Sequence, residues 1–164
     1  MIDILIDELT NSIRHRATNT SVETVIEKIK PTEIAQLKNW QFDWQYESRK
    51  NDIYKLTIND IPDDIQGVIS IEVRKGYVFV SLVENAPFNI GKHGIYEGVA
   101  GNLFAYACKL SYEMGFDGFV SFVAKTELIE HYQKKILAKL VSGQTMVIEP
   151  IEALQLIRQY FKEA

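Results

Sequence analysis

With a single cysteine, Cys108, the chain cannot close an internal disulfide, which fits a reducing compartment and excludes a cystine-stapled fold. Long apolar runs are missing too, and nothing approaches the length needed to cross a bilayer. The leading stretch, Met1 to Glu8, carries acids where a secretory leader needs a basic start. The expectation is a cytoplasmic protein with no membrane partner. Basic clusters are scarce: 18 Lys and Arg face 22 Asp and Glu, a net charge of −4, and the densest patch is Lys134, Lys135 and Lys139. Nucleic acid is not expected as a partner, because such binding relies on neutralising phosphates with Lys and Arg. The histidines His15, His93 and His131 have no partners at metal-ligand spacing, so no metal site is expected. No nucleophile elbow, Walker loop or dinucleotide fingerprint is present. What the chain does have is apolar content of 46% against 24% charged, over 164 residues. That supports one domain with a proper core.

Periodicity gives a coarse order of elements. In the first 16 residues Ile2, Leu5, Ile6 and Leu9 recur at helical spacing, but Thr10-Asn11-Ser12 would stop a helix early. Val22 to Ile29 fits either a short helix capped by Ser21 or an edge strand, since Val22, Thr24, Val25 and Ile26 are β-branched. Pro31 to Asn39 reads as a helix with Thr32 as its cap and Ile34, Leu37 and Trp40 inward. Trp40, Phe42, Trp44 and Tyr46 alternate with polar residues, the pattern of a half-buried strand. Strands follow over Asp52 to Ile58, Ile65 to Arg74 and Tyr77 to Glu84, the last two joined by Lys75-Gly76 as a hairpin. A second hairpin is expected over Leu137 to Val141 and Thr145 to Glu149. A final helix follows Pro150, with Ile151, Leu154, Ile157 and Phe161 inward.

The stretch Gly91 to Tyr132 carries the most information. It reads as a small-residue loop (Ile95 to Gly101), a helix (Asn102 to Met114), a glycine stop, an apolar strand (Phe116 to Ala124) and a helix bearing Tyr132. Unpaired N–H groups at such a helix start, together with its dipole, favour an anion such as phosphate. Gly98 and Ala100 fall on the two small positions of a Gln/Arg-x-x-Gly-x-Gly/Ala signature, with Leu103 five residues and Gly115 seventeen residues after Gly98. This segment resembles the acetyl-coenzyme A-binding core of the GNAT (GCN5-related) N-acetyltransferases, over roughly Asp52 to Glu149. The chain departs from the family at Ile95, where it has Gln or Arg, at Lys125, where it has asparagine, and at Ile136 and Leu137, in the region of the family's glycine.

The resemblance implies a mixed α/β domain whose mostly antiparallel sheet splays beside the glycine loop, with coenzyme A in the wedge. Residues 1–50 would be the variable part, 52–149 the core and 150–164 a terminal helix. It implies acetyl-coenzyme A held by Leu82, Val83, Gly98, Val99, Ala100, Gly101, Asn102 and Lys125. Tyr132 would protonate the leaving thiolate, and Glu84 would accept the amine's proton. The acceptor is expected to be a small-molecule or peptide amine, and a homodimer is compatible with the chain. The plainer readings stay open: Tyr132 as a core aromatic, Glu84 as a solvated strand-end acid, His93 as an exposed loop residue, Cys108 as a buried thiol. Glu97 is a second candidate base, although beside a pyrophosphate its charge would repel the ligand. A non-catalytic coenzyme A-binding or interaction protein on the same fold is the competing function.

Overall fold

The computed structural model describes residues 1–7 and 12–161. The chain first forms β1 (Ile13–His15), β2 (Thr20–Val22) and β3 (Thr24–Lys28), then a 3-10 helix over Pro31–Leu37 and α1 (Trp44–Ser48). There follow β4 (Asp52–Ile58), β5 (Gly67–Arg74), β6 (Tyr77–Asn85), β7 (Tyr96–Glu97) and α2 (Val99–Glu113). The remainder is β8 (Val120–Val123), α3 (Ile129–Lys135), β9 (Lys139–Ser142), β10 (Thr145–Ile148) and α4 (Pro150–Tyr160). The main sheet runs β3-β4-β5-β6-β8-β10-β9, and a small sheet runs β2-β1-β7. In the main sheet every pairing is antiparallel except β6 with β8. This is the mixed, mostly antiparallel sheet with flanking helices that the sequence led us to expect.

α2 is the central core helix. Val99, Ala100, Leu103, Phe104, Ala107 and Cys108 are buried on it, and Phe104 meets Phe122 of β8 and Tyr132 of α3 at ring-centre distances of 5.3 and 6.4 Å. Each fully buried large apolar side chain contributes about 1.5–3 kcal/mol, so this stack fixes how α2, β8 and α3 sit together. Gly98 precedes α2 with φ +90°, a left-handed turn that admits glycine readily, and Gly115 ends it with φ +84°. A second core, around Leu37, Trp44, Ile53 and Val68, lies under the 3-10 helix and α1.

Several local expectations are overturned. The aromatic alternation at 40–46 is no strand: Asp43 accepts the Tyr46 N–H at 3.0 Å and starts α1. Trp44 is buried while Tyr46 is 56% exposed. Residues 22–29 take the strand alternative, and β3 is the edge of the main sheet. The leading residues are extended rather than helical: Ile2 bridges Ala124 in parallel, and Leu9 lies outside the described residues. α2 begins at Val99, three residues before the expected start. On α4 the buried residues are Ala153, Leu156, Ile157 and Tyr160, and Ile151 is 73% exposed. Gly101 explains that rotation, for a Cβ there would stand 1.8 Å from the Tyr160 hydroxyl. Its bare backbone is the seat of α4.

Candidate functional site

The parallel pairing of β6 with β8 lasts only from Val78↔Val120 to Val80↔Phe122. At that point the β5–β6 register slips, with Ser70 opposite Leu82 but Ile71 opposite Val80, so Ser81 is an extra residue. Such a bulge bends its strand and increases the local twist. Here it also switches the strand's alternation, so Val78, Val80 and Val83 all reach the main core while Leu82 packs on the second one. From Ser81 to Asn85 the outer edge of β6 has no strand partner among the described residues, and a cleft opens.

Two carboxylates hold the β6 wall. Glu47 of α1 accepts the Ser70 hydroxyl at 2.6 Å and the Asn51 amide at 3.1 Å. Burial pushes its carboxyl up, but Ser70, Ser81, Asn51 and Lys50 outweigh that and leave it below the usual carboxylate value. Glu47 thus grips the two serines that frame the bulge. In return, Glu84 of β6 accepts the Gln41 N–H at 2.6 Å, the Phe42 N–H at 3.0 Å and the Trp44 indole N–H at 2.8 Å. Glu84 is buried and committed to three donors; it is not a solvated strand-end acid.

The loop after β6 is pinned by Asn89. Its amide donates to the Gln66 backbone and side-chain oxygens, and its oxygen accepts the Tyr96 N–H. Gly94 lets the chain fold back here, since a Cβ would meet the Asn89 carbonyl at 2.5 Å. β1 pairs with β7, bringing Arg14 and Arg16 to Glu97. Glu97 is therefore neutralised in place, which removes the expected clash with an anion. Arg16 also donates to the Gly91 carbonyl at 2.8 Å and pairs with Asp7 at 3.3 Å. His93 stands exposed.

At the start of α2, the Gly98 N–H donates to the Asp7 carboxylate at 3.1 Å. An acceptor oxygen at this amide is the arrangement that a helix start favours. Burial raises the Asp7 carboxyl, with Gly98 and Arg16 pulling the other way. On the far wall Tyr132 is buried, and its hydroxyl donates to the Ile4 carbonyl at 2.7 Å. Burial, reinforced by Asp3, pushes the phenol well above its usual value, so it stays protonated at neutral pH. Beside it, His131 accepts the Ile6 N–H at 2.8 Å, and burial, with Lys135 nearby, lowers its pKa. The Lys125 N–H donates to the Ile2 carbonyl at 2.8 Å, while its side chain is exposed.

The cleft has a volume of about 580 Å³ and is lined by Ile4, Asp7, Phe42, Val83, Lys92 and His131 among others, a size that suits a small organic ligand. A larger hollow of about 840 Å³, between β3 and the α2–α4 pair, contains none of the expected site residues. Of the expected site residues Val83 and Glu84 line the cleft, while Gly98 and Tyr132 lie behind Asp7 and Ile4, to which they bond. Leu82 points to the second core, and Gly101 is covered by Tyr160. Asp7, Arg16 and Asn89 were missed, for they sit in no motif and reach the loop only through the fold. Asn102 is fully buried with no partner for either amide atom. Cys108 is buried, and burial raises its thiol well above the usual range. Among the described residues no cluster of His, Cys, Asp or Glu could hold a metal, and no helix is long and apolar enough to cross a membrane.

Neither a protein-family model nor a curated protein sequence matches the chain. Solved structures do. AtaTR bound with acetyl-coenzyme A is 11% identical, with 82% of this chain and 98% of that one covered at a TM-score of 0.57. The KacTA–DNA complex is 11% identical, with 83% and 99% covered at 0.57. AtaT complexed with acetyl-methionyl-tRNAfMet is 12% identical, with 83% and 99% covered at 0.54. These neighbours are GNAT-fold acetyltransferases, and the chain shares their fold. They also correct the expectation about partners. Proteins of this fold are seen on DNA and with an acylated tRNA, so a net charge of −4 does not exclude nucleic acid, and a small-molecule or peptide acceptor loses its footing. Whole-chain charge averages over the surface, whereas phosphate recognition depends on the few cations beside the site.

Proposed function

We propose that the chain is an acetyl-coenzyme A-dependent N-acetyltransferase that acts on an amine carried by a nucleic acid. One observation carries this: the unpaired edge of β6 lines the cleft, and two other lining residues, Ile4 and Asp7, bond the Tyr132 hydroxyl and the Gly98 amide directly behind them. Ile4 and Asp7 are three residues apart on one extended segment, so roughly 10 Å of chain at most separates the atoms that Tyr132 and Gly98 bond. Bound acetyl-coenzyme A would supply the acyl thioester.

The main-chain amides from Gly98 to Gly101 would hold its pyrophosphate, at the place where the Gly98 N–H now donates to Asp7. The Val83 backbone N–H, which alternation turns away from β5, would be offered to the cleft side, where it can polarise a carbonyl, while that of Leu82 is turned toward β5. Tyr132, neutral and buried, would give its proton to the departing sulfur as the C–S bond breaks. Glu84 positions the 41–44 turn beside the cleft; as the amine nitrogen bonds the acyl carbon, its proton would leave to solvent water in the open cleft. Arg16 and Lys92 line the cleft, cations that suit a phosphate-bearing acceptor. Aminoacyl-tRNA is the acceptor that the neighbours' chemistry supports. A cytoplasmic location belongs to the same reading, where Cys108 stays reduced.

The test is thiol release from acetyl-coenzyme A in the presence of aminoacyl-tRNA, with the N-acetylated aminoacyl group identified by mass. Transfer that is lost in Tyr132→Phe supports the proposal. Coenzyme A binding with no transfer to any aminoacyl-tRNA would favour the non-catalytic function on the same fold.

A further inference from the structure

The cleft between β6 and β8 is partly occupied by the chain's own residues 1–7. The Ile2 N–H donates to the Val123 carbonyl at 2.7 Å and the Ile2 carbonyl accepts from Lys125, which continues the sheet past the end of β8. Ile2 and Ile6 are buried in the main core, while Leu5 between them is 65% exposed. Ile4 takes the Tyr132 hydroxyl, Ile6 takes the His131 ring nitrogen, and Asp7 takes the Gly98 amide and an Arg16 ion pair. The Lys135 ammonium donates to the Asp7 carbonyl at 3.1 Å. The segment thus uses the phenol and the helix-start amide that the proposed reaction requires. Its carboxylate occupies the anion position of α2.

We infer that residues 1–7 are a built-in competitor for the acetyl-coenzyme A cleft, and that the segment must leave Gly98 and Tyr132 before the cofactor can seat. The inference rests on the cofactor reading above. Its energetic form is simple: only the fraction of molecules with the segment displaced can bind, and apparent affinity falls by that fraction. The remaining 580 Å³ alongside β6 gives an incoming ligand a foothold from which to push the segment away.

The experiment uses the full chain, with acetyl-coenzyme A as the probe. Calorimetry compares wild type with Ile2→Ser/Ile6→Ser, which weakens the two buried anchors, and with Asp7→Ala, which clears the Gly98 amide and leaves the core intact should the double variant fail to fold. Residue-resolved hydrogen exchange follows the Ile2 and Ile6 amides. The expected result is tighter binding by roughly tenfold or more in the variants. Exchange at Ile2 and Ile6 should speed up in wild type when the probe is added. If wild type binds but Ile2 and Ile6 stay protected and the variants bind no more tightly, the competitor is overturned and the cofactor reading stands. If neither wild type nor any variant binds, the cofactor reading falls and the competitor with it.

Discussion

On the β6 wall of the cleft, Glu84 and Glu47 are each held by several donors from neighbouring elements. On the opposite wall, Tyr132, His131 and the Gly98 amide take partners from residues 1–7, a segment that joins the sheet through one bridge. The first wall is a scaffold whose bonds are redundant and buried. The second is a set of polar groups each bonded to one short segment, which on the proposal above gives way to the cofactor. A cleft for a reacting ligand needs both: one side that keeps its shape, and one whose donors are not permanently consumed.

The largest expected effect breaks the rigid wall. Glu84→Ala strands the Gln41 and Phe42 amides and the Trp44 indole N–H, and should cost about 3 kcal/mol or more in urea denaturation. Asp7→Ala on the other wall should cost about 1 kcal/mol or less in the same assay. Equal losses would mean that the two walls do not differ in kind.

Next comes Tyr132→Phe. Acetyl transfer should fall by roughly 10²-fold or more while cofactor affinity holds within a few-fold, since the ring that packs on Phe122 and Phe104 is retained. A mutant as active as wild type would retire this residue as the acid.

Gly101→Ala tests whether the glycine loop serves packing as well as ligand. The added methyl meets the buried Tyr160 ring end, and stability should drop by about 1–3 kcal/mol, measured by thermal unfolding. An unaffected protein would return Gly101 to a purely ligand-facing role.

The smallest effect is pH dependence of the exchangeable wall. His131 has a lowered folded pKa, so its contribution is full above the unfolded value of 6.5 and is lost as pH falls through the lowered value. Asp7, raised by burial, runs the other way: its contribution is full below 3.8 and is lost as pH rises through the raised value. Between these limits the two oppose each other. NMR titration should show the Ile6 amide losing its bond as pH falls through the lowered His131 value, and His131→Gln should flatten that response. An Ile6 amide insensitive to pH would separate His131 from the docking of the segment.

What the sequence determined by itself were features with local causes. Alternation set the β5–β6 hairpin around Gly76, the spacing from Gly98 to Gly115 set α2, and Pro150 opened α4. Only the tertiary structure decided the rest. Trp40 to Tyr46 alternates as a strand would, yet the Asp43 cap and the distant Glu84 carboxylate make it a turn and a helix. The bulge at Ser81 shifts the inward face of β6 because Glu47, over thirty residues away in sequence, holds its serines. Residues 1–7 have helical spacing but lie extended, because the end of β8 offers them backbone partners and the cleft offers their isoleucines a core. Periodicity reports which face of an element could be buried. Where a chain segment goes also depends on unpaired donors and open apolar surface left by elements far away in sequence, and no local pattern encodes those.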